Sequence, residues 1–394
     1  MPEYKYLIVG GGMTADAAVN GIREIDPKGS IGVISSEDNP PYNRPPLSKG
    51  LWKGEAPDSI WRGTDKQSAT LHLGRKAQAL EPSQKTVTDD QGSAYRFEKL
   101  LLATGASTRT LPSGGQSIIY YRTLDDYQNL RALTEQGKRF AVIGGGFIGW
   151  EIAAALAMHG REVVMLFPEE AIGSRMYPAE LARFLSDYYR QKGVNVVAGS
   201  EVASVETIGH ASLVKTRSHG EFPVDGVVAG LGVAPNVELA QAAGVKVENG
   251  IVVDESLRTS HADIYAAGDV ANFYNPALEK RVRVEHEDNA NTMGAAAGRS
   301  MAGKPEPYHH LPFFYSDLFD LGYEAVGDLD SRLDTVADWK ELNREGVVYY
   351  VRDGRVRGVL LWNIFGQVDA ARDLISAEGP FRAGDLKGRI PKAQ

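Results

Sequence analysis

Two glycine-rich strings in the chain have the residue types and spacing of a phosphate-binding turn. Residues 6–22 read YLIVGGGMTADAAVNGI, and residues 140–156 read FAVIGGGFIGWEIAAAL. Each string is a short apolar strand, then a triple glycine, then the start of a helix. Such a turn aims backbone N–H groups and the positive end of a helix at an anion. The chemistry predicted for both strings is therefore binding of a dinucleotide pyrophosphate.

The individual positions in both strings agree with this prediction. The residues that fill the G-x-G-x-x-G/A pattern are Gly10, Gly12 and Ala15 in the first string, and Gly144, Gly146 and Gly149 in the second. In this pattern the first glycine makes the tight turn, the second lets backbone approach the pyrophosphate, and the third lets helix pack on strand. Glu37 lies 25 residues after Gly12, and Glu169 lies 20 residues after Gly149. An acidic side chain there can bind a ribose hydroxyl.

Two dinucleotide sites in one chain imply two cofactors. A flavin with a nicotinamide is the economical pair, because a hydride can pass from one to the other. Two further apolar strands end in small residues, LLATG at 101–105 and IYAAGD at 264–269. Either could be a buried strand before a turn, so the glycine strings carry the prediction.

The composition excludes several other chemistries. The 394 residues include no cysteine, so disulfides, thiolate nucleophiles, iron–sulfur ligation and cysteine-based zinc sites are impossible. We predict no metal site. A formal net charge of -8 argues against a general nucleic-acid or anionic-membrane binder. No apolar run is long enough to span a bilayer, and the N-terminus lacks the pattern of a signal peptide, which predicts a cytoplasmic location.

Several segments of the chain resemble those of known protein families. Together with the two glycine-rich strings, called the fingerprints below, the segments LLATG and IYAAGD resemble those of the flavin-dependent pyridine-nucleotide reductases. Residues 41–49, PYNRPPLSK, look like the ferredoxin reductases of oxygenase systems and apoptosis-inducing factor. The strings that look most like apoptosis-inducing factor and its bacterial relatives are FPEEAIGSRMYP at 167–178, VEHEDNA at 284–290 and VLLWNIF at 359–365. The chain has Tyr315 where that family usually has tryptophan.

The resemblance implies an α/β fold with two Rossmann-like dinucleotide-binding domains, as in glutathione reductase, plus a small C-terminal α+β domain. The predicted parts are an FAD-binding domain in two segments, 1–110 and 235–307, an NAD-binding domain at 111–234 and the C-terminal domain at 308–394. In that domain VVYYVRDGRVRGVLLW at 347–362 predicts a hairpin turning at Asp353-Gly354. Residues 366–377 predict an amphipathic helix.

The resemblance also implies which residues hold FAD. In the first fingerprint these are Gly10, Gly12, Met13, Thr14, Ala15 and the following Glu37. Elsewhere they are Arg44, Lys49, Ala77 through its backbone, Thr104, Gly105, Arg109, Asp269, His286, Glu287 and Tyr315. Without the resemblance, the charges of Arg44 and Lys49 could simply be solvated in a turn, and His286 could merely cap or pack a helix.

The residues implied for NAD are Gly145, Gly146, Phe147, Ile148, Glu169, Arg175, Gly232, Glu285, Glu324 and Asn363. Ile148 is equally consistent with helix packing. The resemblance places Phe147 beside the flavin ring. We predict a Lys49–Glu151 ion pair where flavin and nicotinamide meet, and assign Lys49, Glu151 and Phe147 as catalytic. Glu151 alone could be a favourable helix-dipole contact. The Glu169 carboxylate predicts a preference for NADH over NADPH, because it would repel a 2′-phosphate, although Arg161 and Arg175 could attract that phosphate.

Without cysteine, electrons must leave directly from the flavin. The first hypothesis is an NADH-dependent reductase of a ferredoxin-type carrier. The second is a slow NADH-responsive binding protein that dimerises on reduction, as in apoptosis-inducing factor. The third is a diaphorase that reduces quinones or oxygen. The expected partners are therefore NADH, a ferredoxin-type carrier and, in the second case, another copy of the chain.

Overall fold

A computed structural model describes residues 1–112, 115–209 and 211–391 of the chain. Its contacts separate two compact units. The first unit comprises Met1–Arg44, Ala56–Ser107 and Ala234–Pro312, and the second comprises Pro45–Glu55, Thr108–Val233 and Phe313–Gln394. The four domain segments predicted from the sequence stay a prediction.

The strands alternate with helices over much of the chain. The strands up to residue 143 are β1 (Glu3–Val9), β2 (Ile31–Ile34), β3 (Ala69–His72), β4 (Ala77–Glu81), β5 (Thr86–Asp89), β6 (Ala94–Leu102), β7 (Ala106–Thr108), β8 (Ile118–Tyr120) and β9 (Arg139–Ile143). Those up to 252 are β10 (Glu162–Phe167), β11 (Val194–Ala198), β12 (Val202–Ile208), β13 (Ala211–Thr216), β14 (Glu221–Val224), β15 (Gly226–Ala229), β16 (Val233–Pro235), β17 (Val247–Glu248) and β18 (Gly250–Val252). The remaining strands are β19 (Ile264–Ala266), β20 (Ala271–Asn275), β21 (Lys280–Val282), β22 (Phe313–Leu318), β23 (Leu321–Gly327), β24 (Asp334–Glu341), β25 (Glu345–Arg352) and β26 (Arg355–Trp362).

The α-helices are α1 (Met13–Ile25), α2 (Leu124–Gln136), α3 (Phe147–Met158), α4 (Ala179–Gln191), α5 (Glu238–Ala242), α6 (Glu287–Met301), α7 (Val368–Ser376) and α8 (Ala383–Leu386). Short 3₁₀ segments occupy Pro45–Ser48, Gly50–Lys53, Pro57–Ile60, Thr64–Gln67, Gly115–Ser117 and Gly268–Val270. Both glycine fingerprints lie where predicted, between β1 and α1 and between β9 and α3.

The first unit is built on a sheet in the order β3-β2-β1-β6-β5-β4, with β19 also paired to β6. The pairs β1–β2, β1–β6, β2–β3 and β19–β6 are parallel. Parallel strands put their carboxyl ends at one edge, where open α/β sheets bind nucleotides. Helices α1 and α6 pack closely through small, fully buried residues such as Ala18 and Ala297. The Rossmann-like arrangement predicted for the first fingerprint is therefore confirmed.

The second unit contains a parallel sheet in the order β11-β10-β9-β15-β8. The central strands β10, β9 and β15 are largely apolar, with Ala141, Val142 and Leu166 fully buried, as expected for a parallel sheet covered on both faces. Strand β9 leads into the second fingerprint, and β10 ends at Phe167, two residues before Glu169. The second dinucleotide-binding fold is thus also present.

The same unit carries an antiparallel sheet in the order β22-β23-β26-β25-β24. The hairpin predicted at Asp353-Gly354 joins β25 and β26, and both turn residues have positive φ, 53° and 71°. A two-residue turn of this kind needs left-handed backbone at both positions, which Asp-Gly accepts at low cost. Helix α7 lies within the predicted 366–377 segment and packs on β23 and β26. The C-terminal α+β domain is therefore confirmed.

Asp225 is a carboxylate that stabilises the start of the central strand β9. It accepts hydrogen bonds from the backbone N–H groups of Lys138 and Arg139 at 2.7 and 2.9 Å. These backbone hydrogen bonds, first that of Arg139, hold the pKa of Asp225 below its usual range. A depressed carboxyl pKa stabilises the fold above the unfolded value near 3.9, and this contribution is lost as the pH falls through the folded pKa.

We therefore expect Asp225→Asn to lower the free energy of unfolding by about 1 kcal/mol at pH 7. The difference from the parent protein should shrink below about pH 4. Urea unfolding at a series of pH values measures both quantities. Asp187→Asn is the control, because its carboxylate is 67% exposed and its ion pair is a surface one. A pH-independent Asp225→Asn difference would contradict this assignment.

Within the described residues, no helix is both long and apolar enough to cross a membrane. The cytoplasmic location stays a prediction.

Candidate active site

The first fingerprint forms an open cradle at the start of α1. A Cβ built on Gly12 would meet no atom of the described residues within 4 Å, its chain neighbours and the helix's own backbone apart. Gly12 is the N-cap of α1, so the backbone N–H groups of the first helical turn point toward the open space beside Gly12. Ala15 is fully buried, as the third fingerprint position requires. Met13 and Thr14 form the first turn. The cradle fits a pyrophosphate.

Glu37 lies after β2, at the position predicted for ribose binding. Its carboxylate accepts a hydrogen bond from the Tyr42 hydroxyl at 2.6 Å and forms an ion pair with Arg44. The Arg44 guanidinium also lies 5.1 Å from the centre of the Tyr42 ring. Residues 42–44 are therefore anchored to Glu37, and Arg44 is not a solvated surface charge.

Thr104 and Gly105 are joined to the returning segment of the first unit by Asn236. The Thr104 hydroxyl donates to the Asn236 carbonyl at 2.7 Å, and the Asn236 side-chain amide donates to the Thr104 carbonyl at 2.8 Å. The Asn236 backbone N–H also donates to the Gly105 carbonyl at 3.0 Å. Ala77 begins β4, the edge strand of the sheet, where backbone groups can bind adenine.

Two later segments of the first unit contain further residues predicted for FAD. Asp269 lies in the 3₁₀ turn Gly268–Val270 directly after β19, and its backbone carbonyl accepts from Arg283 at 3.1 Å. Arg283 also pairs with Glu285 at 2.5 Å. His286 is the N-cap of α6, and Glu287 is its first residue, so the helix begins within VEHEDNA.

The second fingerprint repeats the cradle at the start of α3. Gly146 is the N-cap, and a Cβ there would again have no atom of the described residues within 4 Å beyond its neighbours and the helix backbone. A Cβ on Gly149 would lie 2.0 Å from the Gly144 carbonyl oxygen, and one on Gly145 would lie 2.9 Å from the Phe167 ring. Gly145 and Gly149 therefore permit close packing, whereas Gly146 leaves an open surface for phosphate.

Glu169 and Arg175 form an ion pair of 2.5 Å beside this cradle. The Glu169 side chain is 22% exposed, whereas that of Arg175 is 80% exposed. Arg175, one of the two arginines that could attract a 2′-phosphate, is therefore paired with the carboxylate predicted to bind a 2′-hydroxyl.

The predicted Lys49–Glu151 ion pair is present in the second unit. The Lys49 ammonium lies 2.8 Å from Glu151 Oε1 and 2.9 Å from Oε2. Ser48 donates to Oε2 at 2.6 Å, and Ser316 donates to Oε1 at 2.5 Å. The carboxylate is 3% exposed and the lysine side chain 14%. Four short contacts compensate for the burial of the carboxylate, which would otherwise be strongly unfavourable.

Elements on both sides keep this pair in place. The Trp150 indole donates to the Ser316 hydroxyl at 2.9 Å, so the hydroxyl is oriented toward Glu151. The Leu47 carbonyl accepts from Trp52 at 2.8 Å and from Tyr121, which fixes the segment that carries Ser48 and Lys49. No sequence pattern marked Ser48, Trp150 or Ser316 as part of the site, because Ser48 and Ser316 reach Glu151 only through long-range packing and Trp150 acts through Ser316.

Aromatic side chains surround the pair. The Lys49 ammonium lies 5.1 Å from the centre of the Tyr315 ring, so Tyr315 makes a cation–π contact with the lysine. Phe147 packs edge-on against Phe314, with ring centres 5.5 Å apart. Tyr177 and Tyr323 are fully buried, and burial raises the pKa of both phenols well above the usual value. Both therefore remain neutral near Glu151.

The remaining predicted residues are spread over the second unit. Glu324 lies opposite Tyr315 in the β22–β23 pair and accepts from the Gly366 N–H at 2.9 Å. Asn363 follows β26 and donates its backbone N–H to the Gly322 carbonyl. Arg109 donates its backbone N–H to the Gly232 carbonyl at 2.9 Å. Ile148 is half-buried beside Phe147. The binding roles of all these residues stay predictions.

The two glycine cradles, each between a parallel strand and a helix, define a protein with two dinucleotide sites. Comparison with known proteins gives its family. The family model described as pyridine nucleotide-disulphide oxidoreductase matches residues 4–294. A second model, described as the C-terminal part of mitochondrion-associated apoptosis-inducing factor, matches 297–345 and 340–377. The chain belongs to the pyridine nucleotide-disulphide oxidoreductase family. It is an NADH-dependent flavoprotein oxidoreductase whose cofactors are FAD and a nicotinamide dinucleotide.

Apoptosis-inducing factors and ferredoxin reductases are among the relatives that match. The chain is 33% identical to mitochondrial apoptosis-inducing factor 1 of Dictyostelium discoideum, over 95% of this chain and 78% of the relative. It is also 33% identical to the ferredoxin–NAD(+) reductase component of the anthranilate 1,2-dioxygenase system of Burkholderia cepacia, over 94% of both chains. A structure of a covalent putidaredoxin reductase–putidaredoxin complex matches with a TM-score of 0.88 and 29% identity, over 95% of this chain and 94% of that chain.

Proposed function

We propose that the protein passes a hydride from NADH to FAD and then delivers electrons directly to a ferredoxin-type carrier. The observation that carries this proposal is the absence of cysteine from a member of a disulphide oxidoreductase family. A thiol relay is therefore impossible. Bound FAD supplies the chemistry that a protein side chain cannot, since it accepts a hydride and releases single electrons. The Burkholderia reductase component and the putidaredoxin reductase complex support a ferredoxin-type acceptor.

Lys49 has the role of the catalytic cation in this proposal. Its ammonium is largely buried, paired with Glu151 and seated on the Tyr315 ring. A fixed charge in a poorly hydrated position stabilises developing negative charge without reorganisation, which is the condition for electrostatic catalysis. Glu151 holds that ammonium in one position. Phe147 contributes by its shape, since a half-buried ring packed edge-on against Phe314 can yield to the nicotinamide.

NADH is the proposed physiological donor, and Glu169 is the proposed discriminator. A 2′-phosphate would face the Glu169 carboxylate and would have to compete for its partner Arg175. We expect Glu169→Ala to raise kcat/KM for NADPH relative to NADH by about tenfold. Steady-state kinetics with both nucleotides measure this ratio. The neighbouring exposed Glu170→Ala is the control. A parent protein with a lower KM for NADPH than for NADH would contradict the assignment.

The experiment that tests the proposed acceptor is a steady-state comparison under argon. Purified protein loaded with FAD is given NADH and, separately, a [2Fe–2S] ferredoxin of an oxygenase system, a quinone, or no acceptor. Sustained NADH oxidation with ferredoxin, well above that with quinone, supports the reductase. Equal or faster oxidation with quinone indicates the diaphorase instead.

A second function is favoured by the match of residues 297–345 and 340–377 to the C-terminal part of apoptosis-inducing factor. In this alternative the protein responds slowly to NADH, and a change of oligomeric state is its output. The mass in solution before and after addition of NADH under argon tests it. A monomer-to-dimer shift together with a persistent long-wavelength absorption band supports the sensor.

A further inference from the structure

The first turn of α1 contains a buried carboxylate. Without a compensating positive charge, this carboxylate would oppose phosphate binding at the same end of the helix. Asp16 lies four residues after Gly12, and its side chain is 4% exposed. The positive end of a helix is equivalent to about half an elementary charge. One full negative charge in the first turn therefore outweighs the attraction that the helix offers to a pyrophosphate.

A single guanidinium neutralises this charge. Arg62 Nε donates to Asp16 Oδ2 at 2.7 Å, and the arginine side chain is 15% exposed. The buried Thr64 hydroxyl donates to the other carboxylate oxygen at 2.6 Å, and Asn20 donates to Oδ2 at 3.2 Å. Asp16 is thus fully compensated by partners that come mainly from the 60–64 loop.

Arg62 also joins three segments that are predicted to hold FAD. Its Nη1 donates to the Asn43 side-chain oxygen at 2.7 Å, in the segment that contains Arg44. Its Nη2 donates to the Asn291 side-chain oxygen at 2.9 Å, one turn into α6 after His286. With Asp16 on α1, the guanidinium contacts the fingerprint helix, the proline-rich segment and the start of α6 within one unit.

From these contacts we propose that Arg62 is a positioning residue for FAD, which acts by neutralising Asp16 and by fixing three cofactor-binding segments before the cofactor binds. It is a positioning residue because it acts through Asp16, Asn43 and Asn291. The inference rests on FAD as the cofactor and requires neither NADH nor any acceptor. FAD binding can therefore be tested separately from the proposed reductase activity.

The experiment measures binding of FAD to the apoprotein by quenching of flavin fluorescence, at low and high salt. We expect Arg62→Ala to weaken FAD binding by at least about tenfold, because it leaves a buried carboxylate unpaired in the phosphate-binding turn. Adding Asp16→Asn to this variant should raise affinity at least about threefold above that of Arg62→Ala, because it removes the unpaired charge, whereas the part that depends on Asn43 and Asn291 stays lost. The loss in Arg62→Ala should also become smaller at high salt, since screening weakens charge repulsion.

Arg23→Ala is the matched control. Arg23 lies at the opposite end of α1 and also ties a loop to this helix, through the Gln67 and Ser68 carbonyls. It should lower the melting temperature of the apoprotein while leaving FAD affinity nearly unchanged. If Arg62→Ala does not fold, Arg62→Gln replaces it in the same cycle. FAD binding by Arg62→Ala within about twofold of the parent protein, or no recovery on adding Asp16→Asn, would overturn the proposal.

Discussion

Glu151→Gln is expected to slow reduction of bound FAD by NADH by about 10- to 100-fold, with FAD content unchanged. Glutamine keeps the shape of the side chain and can still accept from Ser48 or Ser316, but it removes the charge that holds Lys49. The lysine ammonium, only 14% exposed, then loses its partner and its fixed position. Rapid mixing with NADH under argon, followed by flavin absorbance, measures the rate.

Two other variants test whether the slower reduction is specific to the loss of the Glu151 charge. Glu180→Gln changes an exposed glutamate in the first turn of the neighbouring helix α4 and should reduce at the parental rate. Ser316→Ala keeps the charge of Glu151 but removes one donor and leaves the Trp150 indole without that acceptor, so its rate should fall between the other two. Reduction of Glu151→Gln at the parental rate would reject a role for the pair in hydride transfer.

The second large effect is expected at the two cradle glycines. Gly146→Val should bind NADH at least about tenfold more weakly while its thermal stability and FAD content stay parental. The backbone at Gly146 is extended, with φ of -99° and ψ of -171°, so a valine is accommodated without strain. Its side chain would fill the surface that the pyrophosphate needs. Isothermal titration with NAD⁺ or NADH measures the affinity.

Gly12→Val is the reciprocal variant. It too lies in extended backbone, with φ of -92°, and should lose FAD while its affinity for NADH remains. Gly149→Ala differs from both, since its Cβ would lie 2.0 Å from the Gly144 carbonyl oxygen and should destabilise the helix–strand contact itself. If Gly146→Val bound NADH normally, or lost FAD instead, the assignment of the two fingerprints would be wrong.

The fold follows from local sequence to a large extent. The two fingerprints combine an apolar strand, a glycine turn and a helix within one short segment, so both Rossmann-like folds could be predicted. The turn at Asp353-Gly354 was predictable for the same reason, because two adjacent residues determine it. The family resemblance then predicted binding roles for residues that lie far apart in the chain.

The partners of the buried charges could not be predicted in this way. Ser316 reaches Glu151 from a strand 165 residues later, and Arg62 reaches Asp16 from a loop 46 residues away. Serine and arginine at such positions have no periodicity or spacing that sets them apart from surface residues. Their roles arise from burial, which makes an unpaired carboxylate costly and so requires a donor from whichever element packs there.

The central claim is that electrons leave the flavin directly for a ferredoxin-type carrier. The most direct measurement is a sequential rapid-mixing experiment under argon, in which FAD-loaded protein is reduced with stoichiometric NADH and then mixed with at least two equivalents of oxidised [2Fe–2S] ferredoxin, because each ferredoxin accepts one of the two electrons. We predict that the flavin absorbance returns at least as fast as NADH bleached it, in step with reduction of the ferredoxin. Flavin that stays reduced whether or not ferredoxin is added, while the protein forms dimers, would contradict the claim.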